Sequence, residues 1–198
     1  MKIILIGASG TIGRKIAATV ENDHELVRVG SKSGDFRVDI GSTESIEKFF
    51  TKVGPFDTLI SAAGDGHFGP LKTMTANDFR KGLESKLLGQ INLVLIGQHY
   101  IRPKGSFTLT AGSLSEDPIA LGANLSAVNA ALEAFGRSAA LELENGVRIN
   151  VVSPTVVEDS PGYFPFFPGH IPVTMERVAA AYTKSAFGAQ TGQVYKVV

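Results

Sequence analysis

Residues 2–17 read KIILIGASGTIGRKIA, and this stretch decides how the rest of the chain is organised. The run Lys2 to Ile6 is short, continuous and β-branched, the composition of a strand covered on both faces. Ile12, Ile16 and Val20 then recur at helical spacing, so a helix follows, to about Asn22. Between strand and helix lie Gly7, Ala8, Ser9, Gly10, Thr11, Ile12 and Gly13. A turn this free of side chains lets backbone N–H groups and a helix N-terminus meet a pyrophosphate. Its place after a buried strand and before a helix points to a dinucleotide site.

Working outward, the next strand covers Glu25 to Gly30, and only residues 31–35 separate it from another, Phe36 to Ile40, a gap too short for a crossover helix. Ser42 or Thr43 caps a helix carrying Ile46, Phe49 and Phe50, which Gly54-Pro55 terminates. Strands are expected at residues 56–64, 106–112, 147–154 and 192–198, with helices at about 75–98, 121–143 and 175–186. About seven strands interleaved with helices of this length predict an α/β chain. It is a Rossmann-type doubly wound parallel sheet forming a single NAD(P)-binding domain over residues 1–198. The irregular piece, Val157 to Pro172, follows a strand's carboxyl end, where open α/β sheets take ligands. Its Tyr163, Phe164, Phe166 and Phe167 suit an apolar or aromatic ligand, or else anchor the loop to the core or to a partner subunit.

Composition narrows the function classes. The 19 basic and 19 acidic residues cancel, so no long-range field gathers nucleic acid or an anionic membrane, and neither partner is expected. Without cysteine there are no disulfides, thiolate metal sites or thiol catalysis, which fits a reducing compartment, and no His/Asp/Glu cluster has metal-ligand spacing. No stretch of about 20 apolar residues exists, so the expectation is a soluble, cytoplasmic protein. An NAD-selective site carries an acid about 20 positions beyond the glycine turn to hold the ribose 2′-OH. Here that place reads Gly30-Ser31-Lys32-Ser33, whose hydroxyls and ammonium suit a 2′-phosphate, so NADP(H) is favoured over NAD(H).

Over its full length the chain resembles the short-chain dehydrogenase/reductase family. The resemblance rests on GASGTIG at 7–13, Asp39-Ile40, SAAG at 61–64, LSAVNAALEAF at 125–135, RINVVSP at 148–154 and TGQVYKV at 191–197. It implies that Asp39 and Ile40 contact the adenine, that Ala62, Ala63 and Gly64 line the cofactor ribose, and that Pro154 with Val157 holds the nicotinamide amide. Family members assemble through a two-fold interface of two long helices. The small-residue row Ala127, Ala130, Ala131 and Ala134 would permit one here, giving a homodimer or homotetramer.

The departures from the family pattern concern the chemistry. The family's Tyr-x-x-x-Lys pair, in which tyrosine exchanges a proton with the substrate oxygen, falls on Leu125 and Asn129, and neither is an acid or a base. The family serine falls near Gly112 and Ser113, leaving Ser113 as a hydrogen-bond donor to a substrate carbonyl. Where the family carries an asparagine in an Asn-x-x-Gly context, this chain reads Lys86-Leu87-Leu88-Gly89, and the resemblance makes Lys86 a candidate to project its ammonium into the space of the missing lysine, the alternative being a lysine turned to solvent. His67 is a second candidate proton donor. Catalytic candidates are therefore Ser113, Lys86, Asn129 and His67. Two functions remain open: an NADP(H)-dependent oxidoreductase with a noncanonical site, acting on a small carbonyl or related acceptor, or a cofactor-binding sensor or scaffold that has lost the chemistry.

Overall fold

The computed structural model describes all residues, 1–198. Seven strands, β1 (Lys2–Ile6), β2 (Glu25–Gly30), β3 (Phe36–Arg37), β4 (Phe56–Ser61), β5 (Ile101–Thr110), β6 (Arg148–Pro154) and β7 (Val194–Val197), form one sheet. Its order is β3-β2-β1-β4-β5-β6-β7, and every pairing is parallel. Along β1 the side chains alternate: Ile4 and Ile6 enter the core on one face, Ile3 and Leu5 the core on the other. The first core is closed by α2 (Thr43–Val53), α4 (Gly89–Gly97) and α5 (Ala123–Glu142), through Phe50, Leu93 and Leu132. The second is closed by α1 (Thr11–Val20) and α6 (Met175–Phe187), through Ile16, Val178 and Tyr182. No helix is long and apolar enough to cross a membrane.

Two local features differ from the expectation. The strand expected at Phe36 to Ile40 is only Phe36–Arg37, because β3 is an edge strand paired solely with Val29 and Gly30 and the chain then turns. In that turn Asp39 Oδ1 accepts from Gly41 N at 2.9 Å. The helix expected over residues 75–98 exists, but in three parts: α3 (Ala76–Gly82), a π-helical turn (Leu83–Leu88) and α4. A Thr75–Asp78 capping box starts it. The π turn carries Lys86, and such turns concentrate at functional sites.

The order of strands places β1 beside β4, so the crossovers leave in opposite directions from that pair. The crevice this opens at the carboxyl ends of the strands is where doubly wound sheets take ligands.

Candidate active site

The glycine turn is shaped by two close approaches. Gly7 has φ of +82°, and a Cβ there would lie 2.5 Å from the Ala62 carbonyl oxygen. A Cβ on Gly13 would lie 2.0 Å from the Gly7 carbonyl oxygen, so this glycine lets α1 pack directly on the turn. Gly10 precedes α1 as a cap without a side chain, and no acid occupies the first turn. The first N–H groups of α1 and the positive end of its dipole therefore stay free for an anion.

Beside this turn lies a cleft of about 410 Å³. Its lining includes Gly7, Ser9, Gly10, Ser31, Asp39, Ile40, Ala62, Ala63 and Gly64, so most of the residues expected to bind the cofactor converge on one space. Thr11 and Gly13 are not in that lining; Gly13 is buried in the α1 contact. Lys32 and Ser33 are exposed on the turn that follows Ser31 of the lining, a turn that folds back until Asp35 N donates to the Arg28 carbonyl at 2.8 Å. Asp65 and Ser85, which no sequence motif marks, also line it, and Asp65 N donates to Ser85 Oγ at 3.0 Å.

A second cavity, about 240 Å³, continues past Ile12 and Lys86. Ser113, Asn129, Leu125, Pro154 and Val157 line it together with Thr155, Tyr163 and Phe167. Thus α5 contributes the two positions that depart from the family pair, the turn after β5 contributes Ser113, and the end of β6 contributes Pro154 and Thr155. Of the loop aromatics, Tyr163 and Phe167 face this cavity, whereas Phe166 packs edge-on against Phe68 with ring centroids 4.9 Å apart. The loop is tied down at several points, including Met175 N to Glu158 Oε1 at 2.7 Å and His170 Nε2 at 3.6 Å from Asp117 Oδ2.

Polar satisfaction is uneven in a revealing way. Ser113 Oγ, Asn129 Oδ1 and Thr155 Oγ1 are buried without a protein hydrogen-bond partner, and all three belong to residues of this cavity. Native proteins leave few such atoms, because an unmade buried bond costs about 1–3 kcal/mol. Three of the five buried unpartnered side-chain atoms thus belong to one cavity and offer hydrogen-bonding capacity to a bound molecule. Just beneath, the buried Glu133 accepts from Ser115 Oγ at 2.7 Å and Ser153 Oγ at 3.0 Å, clamping the turn that presents Ser113.

Lys86 is the cation of the cavity. Its Nζ donates to the Ala111 carbonyl at 3.2 Å, and Gln90 Nε2 donates to the Lys86 backbone carbonyl at 3.1 Å. Burial pushes the ammonium down to about 8, against the nearby Asp65 carboxylate, which pulls it up. His67 stands apart from this lining. Its imidazole packs over Gly69 with Nδ1 3.8 Å from Asp78 Oδ1 at the start of α3, and it does not line the cavity. The His67 backbone N–H donates to the buried Asn124 Oδ1 at 2.8 Å.

The tyrosines divide similarly. Tyr182 is buried under the sheet, its hydroxyl 2.6 Å from Thr110 Oγ1, and burial raises its pKa. Tyr100 stacks on Phe50, and Tyr195 lies beneath Lys184. Only Tyr163, absent from the catalytic candidates of the sequence, reaches the cavity.

A family model described as Enoyl-(Acyl carrier protein) reductase matches residues 9–163. The chain is 48% identical to the protein lin1944 from Listeria innocua, with all of both chains covered and a TM-score of 0.98. It is 26% identical to a small-chain dehydrogenase solved in complex with NADPH, covering 100% of this chain and 96% of that one at a TM-score of 0.89. Another small-chain dehydrogenase, also 26% identical, superposes at 0.86 over 100% and 95% of the two chains. No curated protein matches the chain.

Proposed function

Because this chain belongs to the short-chain dehydrogenase/reductase family, a family of oxidoreductases, we propose that it is an NADP(H)-dependent oxidoreductase reducing a small carbonyl or related acceptor by a noncanonical site. The observation that carries this reading is the convergence of Ser113 Oγ, Asn129 Oδ1 and Thr155 Oγ1, all buried and unpartnered, on a cavity lined by Lys86, whose chain neighbour Ser85 lines the glycine-turn cleft. A protein that read only the adenosine end would gain nothing from orphaned groups at the other.

The residues fit a nicotinamide dinucleotide. The free N-terminus of α1 and the Gly7–Gly13 turn would hold the pyrophosphate, Ala62 to Gly64 the ribose, and Pro154 with Val157 the nicotinamide amide. When bound, the dinucleotide supplies or accepts a hydride. The chain's own part is to hold the acceptor: Ser113 Oγ–H donates to its oxygen, Lys86 places a positive charge where negative charge gathers, and Leu125 with Phe167 excludes water. A second reading, a cofactor-binding sensor, is favoured by Leu125 and Asn129 standing where the family has its acid–base pair. Fluorescence titration with NADPH, then absorbance at the reduced-nicotinamide band across a panel of aldehydes, ketones and quinones, separates them. Binding with acceptor-dependent oxidation supports the enzyme; binding with none supports the sensor.

NADPH, the ligand in the complex of one small-chain dehydrogenase relative, is the favoured cofactor here because residues 31–34, directly after β2, hold no acid and Asp39 is engaged in its own turn with Gly41 N. NADPH should bind at least tenfold tighter than NADH, about 1.4 kcal/mol. Lys32→Glu should narrow or reverse the ratio, and equal constants in the parent would overturn the preference.

Assembly is proposed through α4 and α5. Ala127, Ala130 and Ala134 on α5 are exposed, as are Leu88 just before α4, Leu95 on α4 and Leu141 at the end of α5, at 47%, 49% and 88% exposure. A homodimer or tetramer is expected by light scattering at micromolar concentration; a monomer there refutes it.

A further inference from the structure

We propose that Lys86 is the proton donor of the reaction, giving a proton from Nζ to the acceptor oxygen in the place where a tyrosine would otherwise act. This rests on the oxidoreductase reading above and goes beyond it, because a fixed positive charge would suffice for electrostatic help alone.

Only two lining side chains ionise, Lys86 and Tyr163. Tyr163 sits at 55% exposure on the short 3-10 segment Pro161–Phe166, which holds its own backbone but does not hold the phenol against the floor. The hydroxyls of Ser113 and Thr155 are far too weak as acids to yield a net proton near neutrality. Lys86 instead rises from the π turn into the cavity floor, between the Ala111 carbonyl and the wall that carries Ser113. Its ammonium makes one protein hydrogen bond, at 3.2 Å, which leaves two N–H groups for a ligand. The charged groups around it are few: Asp65, after β4, is the carboxylate that acts on it, while α5 presents only Asn129 and Leu125 and the β6 end only Pro154 and Thr155.

The surroundings suit release as well as possession of the proton. Burial disfavours the ammonium until it titrates at about 8, near the pH at which a general acid works best. In the step, hydride from the reduced nicotinamide forms the new C–H bond and the acceptor's C=O π pair moves onto oxygen. The Lys86 N–H bond then breaks as O–H forms, leaving a neutral amine that regains its proton from water once the product leaves. The acceptor is reduced and the nicotinamide oxidised by the same two electrons.

The test compares the parent with Lys86→Arg, Lys86→Met and Tyr163→Phe, using 4-nitrobenzaldehyde and phenanthrenequinone with NADPH, and 4-nitrobenzyl alcohol with NADP+ for the reverse. Reduction needs the ammonium, so kcat/KM should fall tenfold per pH unit above about 8, while oxidation needs the amine and should rise through the same pH. Lys86→Arg keeps the charge but cannot release its proton, and should lose at least tenfold in rate together with the alkaline limb. Tyr163→Phe should keep that limb. Independently of turnover, the rate at which Lys86 is arylated by trinitrobenzenesulfonate in the cofactor-free protein, followed by peptide mass spectrometry, should be half-maximal near 8. Reaction only above pH 10 overturns the proposal. An arginine variant as active as the parent, or a flat alkaline limb in an active parent, overturns it and leaves the oxidoreductase reading intact. Failure of NADPH to bind sinks both.

Discussion

Lys86→Met should lower turnover by about 100-fold or more, the scale seen when one preorganised charged group is removed from an active site, while NADPH affinity changes little. Methionine keeps the apolar contacts of the lysine stem and removes the charge and the proton together, so the fold should be undisturbed. Ser85 lines the cleft beside the glycine turn, and its chain neighbour Lys86 lines the second cavity. Under the proposed function a change at residue 86 should therefore act on chemistry and spare dinucleotide binding. Steady-state kinetics beside fluorescence titration measures both, and a variant that turns over like the parent would remove Lys86 from the mechanism.

Gly13→Ala should damage both stability and binding. A Cβ there would lie 2.0 Å from the Gly7 carbonyl oxygen and 2.8 Å from its carbon, atoms of backbone that cannot swing aside as a flexible side chain would. Helix α1 must back away from β1, opening the core that Ile16, Ala17 and Val20 fill. Overpacking of this kind costs about 1–3 kcal/mol or more, which for a chain this long lowers Tm by roughly 2–4 °C per kcal/mol. NADPH affinity should fall more than tenfold, since the same displacement moves the free N–H groups of α1. Gly162→Ala is the matched control: a Cβ there meets nothing within 4 Å, and its Tm and affinity should be unchanged.

What the sequence makes legible follows the range of the interactions involved. The β1–turn–α1 unit, the alternation of strands and helices and the helix ends at Ser42 and Gly54 are written in neighbours a few residues apart, and the structure has them. Leu125 and Asn129 face the cavity because they are one helical turn apart on α5, a spacing that sequence alone conveys. His67 lies away from the cavity because its direction is set by Asn124, on a helix more than fifty residues later, whose amide also accounts for the need for glycine at residue 82. Thr155 carries no signal beyond following a strand-ending proline; its orphaned hydroxyl becomes visible only when the ends of β5 and β6 are set side by side. A signal for Tyr163 exists in the clustering of aromatics after a strand's carboxyl end, but which ring turns inward depends on Phe68 taking Phe166.

The π turn at Leu83–Leu88 has an evolutionary reading. A π turn absorbs one residue more than an α turn, so a single-residue deletion within it can relax to regular helix. Both flanking segments then keep their faces, with Leu93 still in the core and the Thr75–Asp78 cap still at the start. What changes is the register of the side chains between them, and hence which residue is handed to the cavity. A lineage can thus exchange the functional group at this joint by gaining or losing a codon, a route shorter than remodelling the pocket wall by substitution. The same joint lets a catalytic inventory drift while the scaffold that presents it stays still.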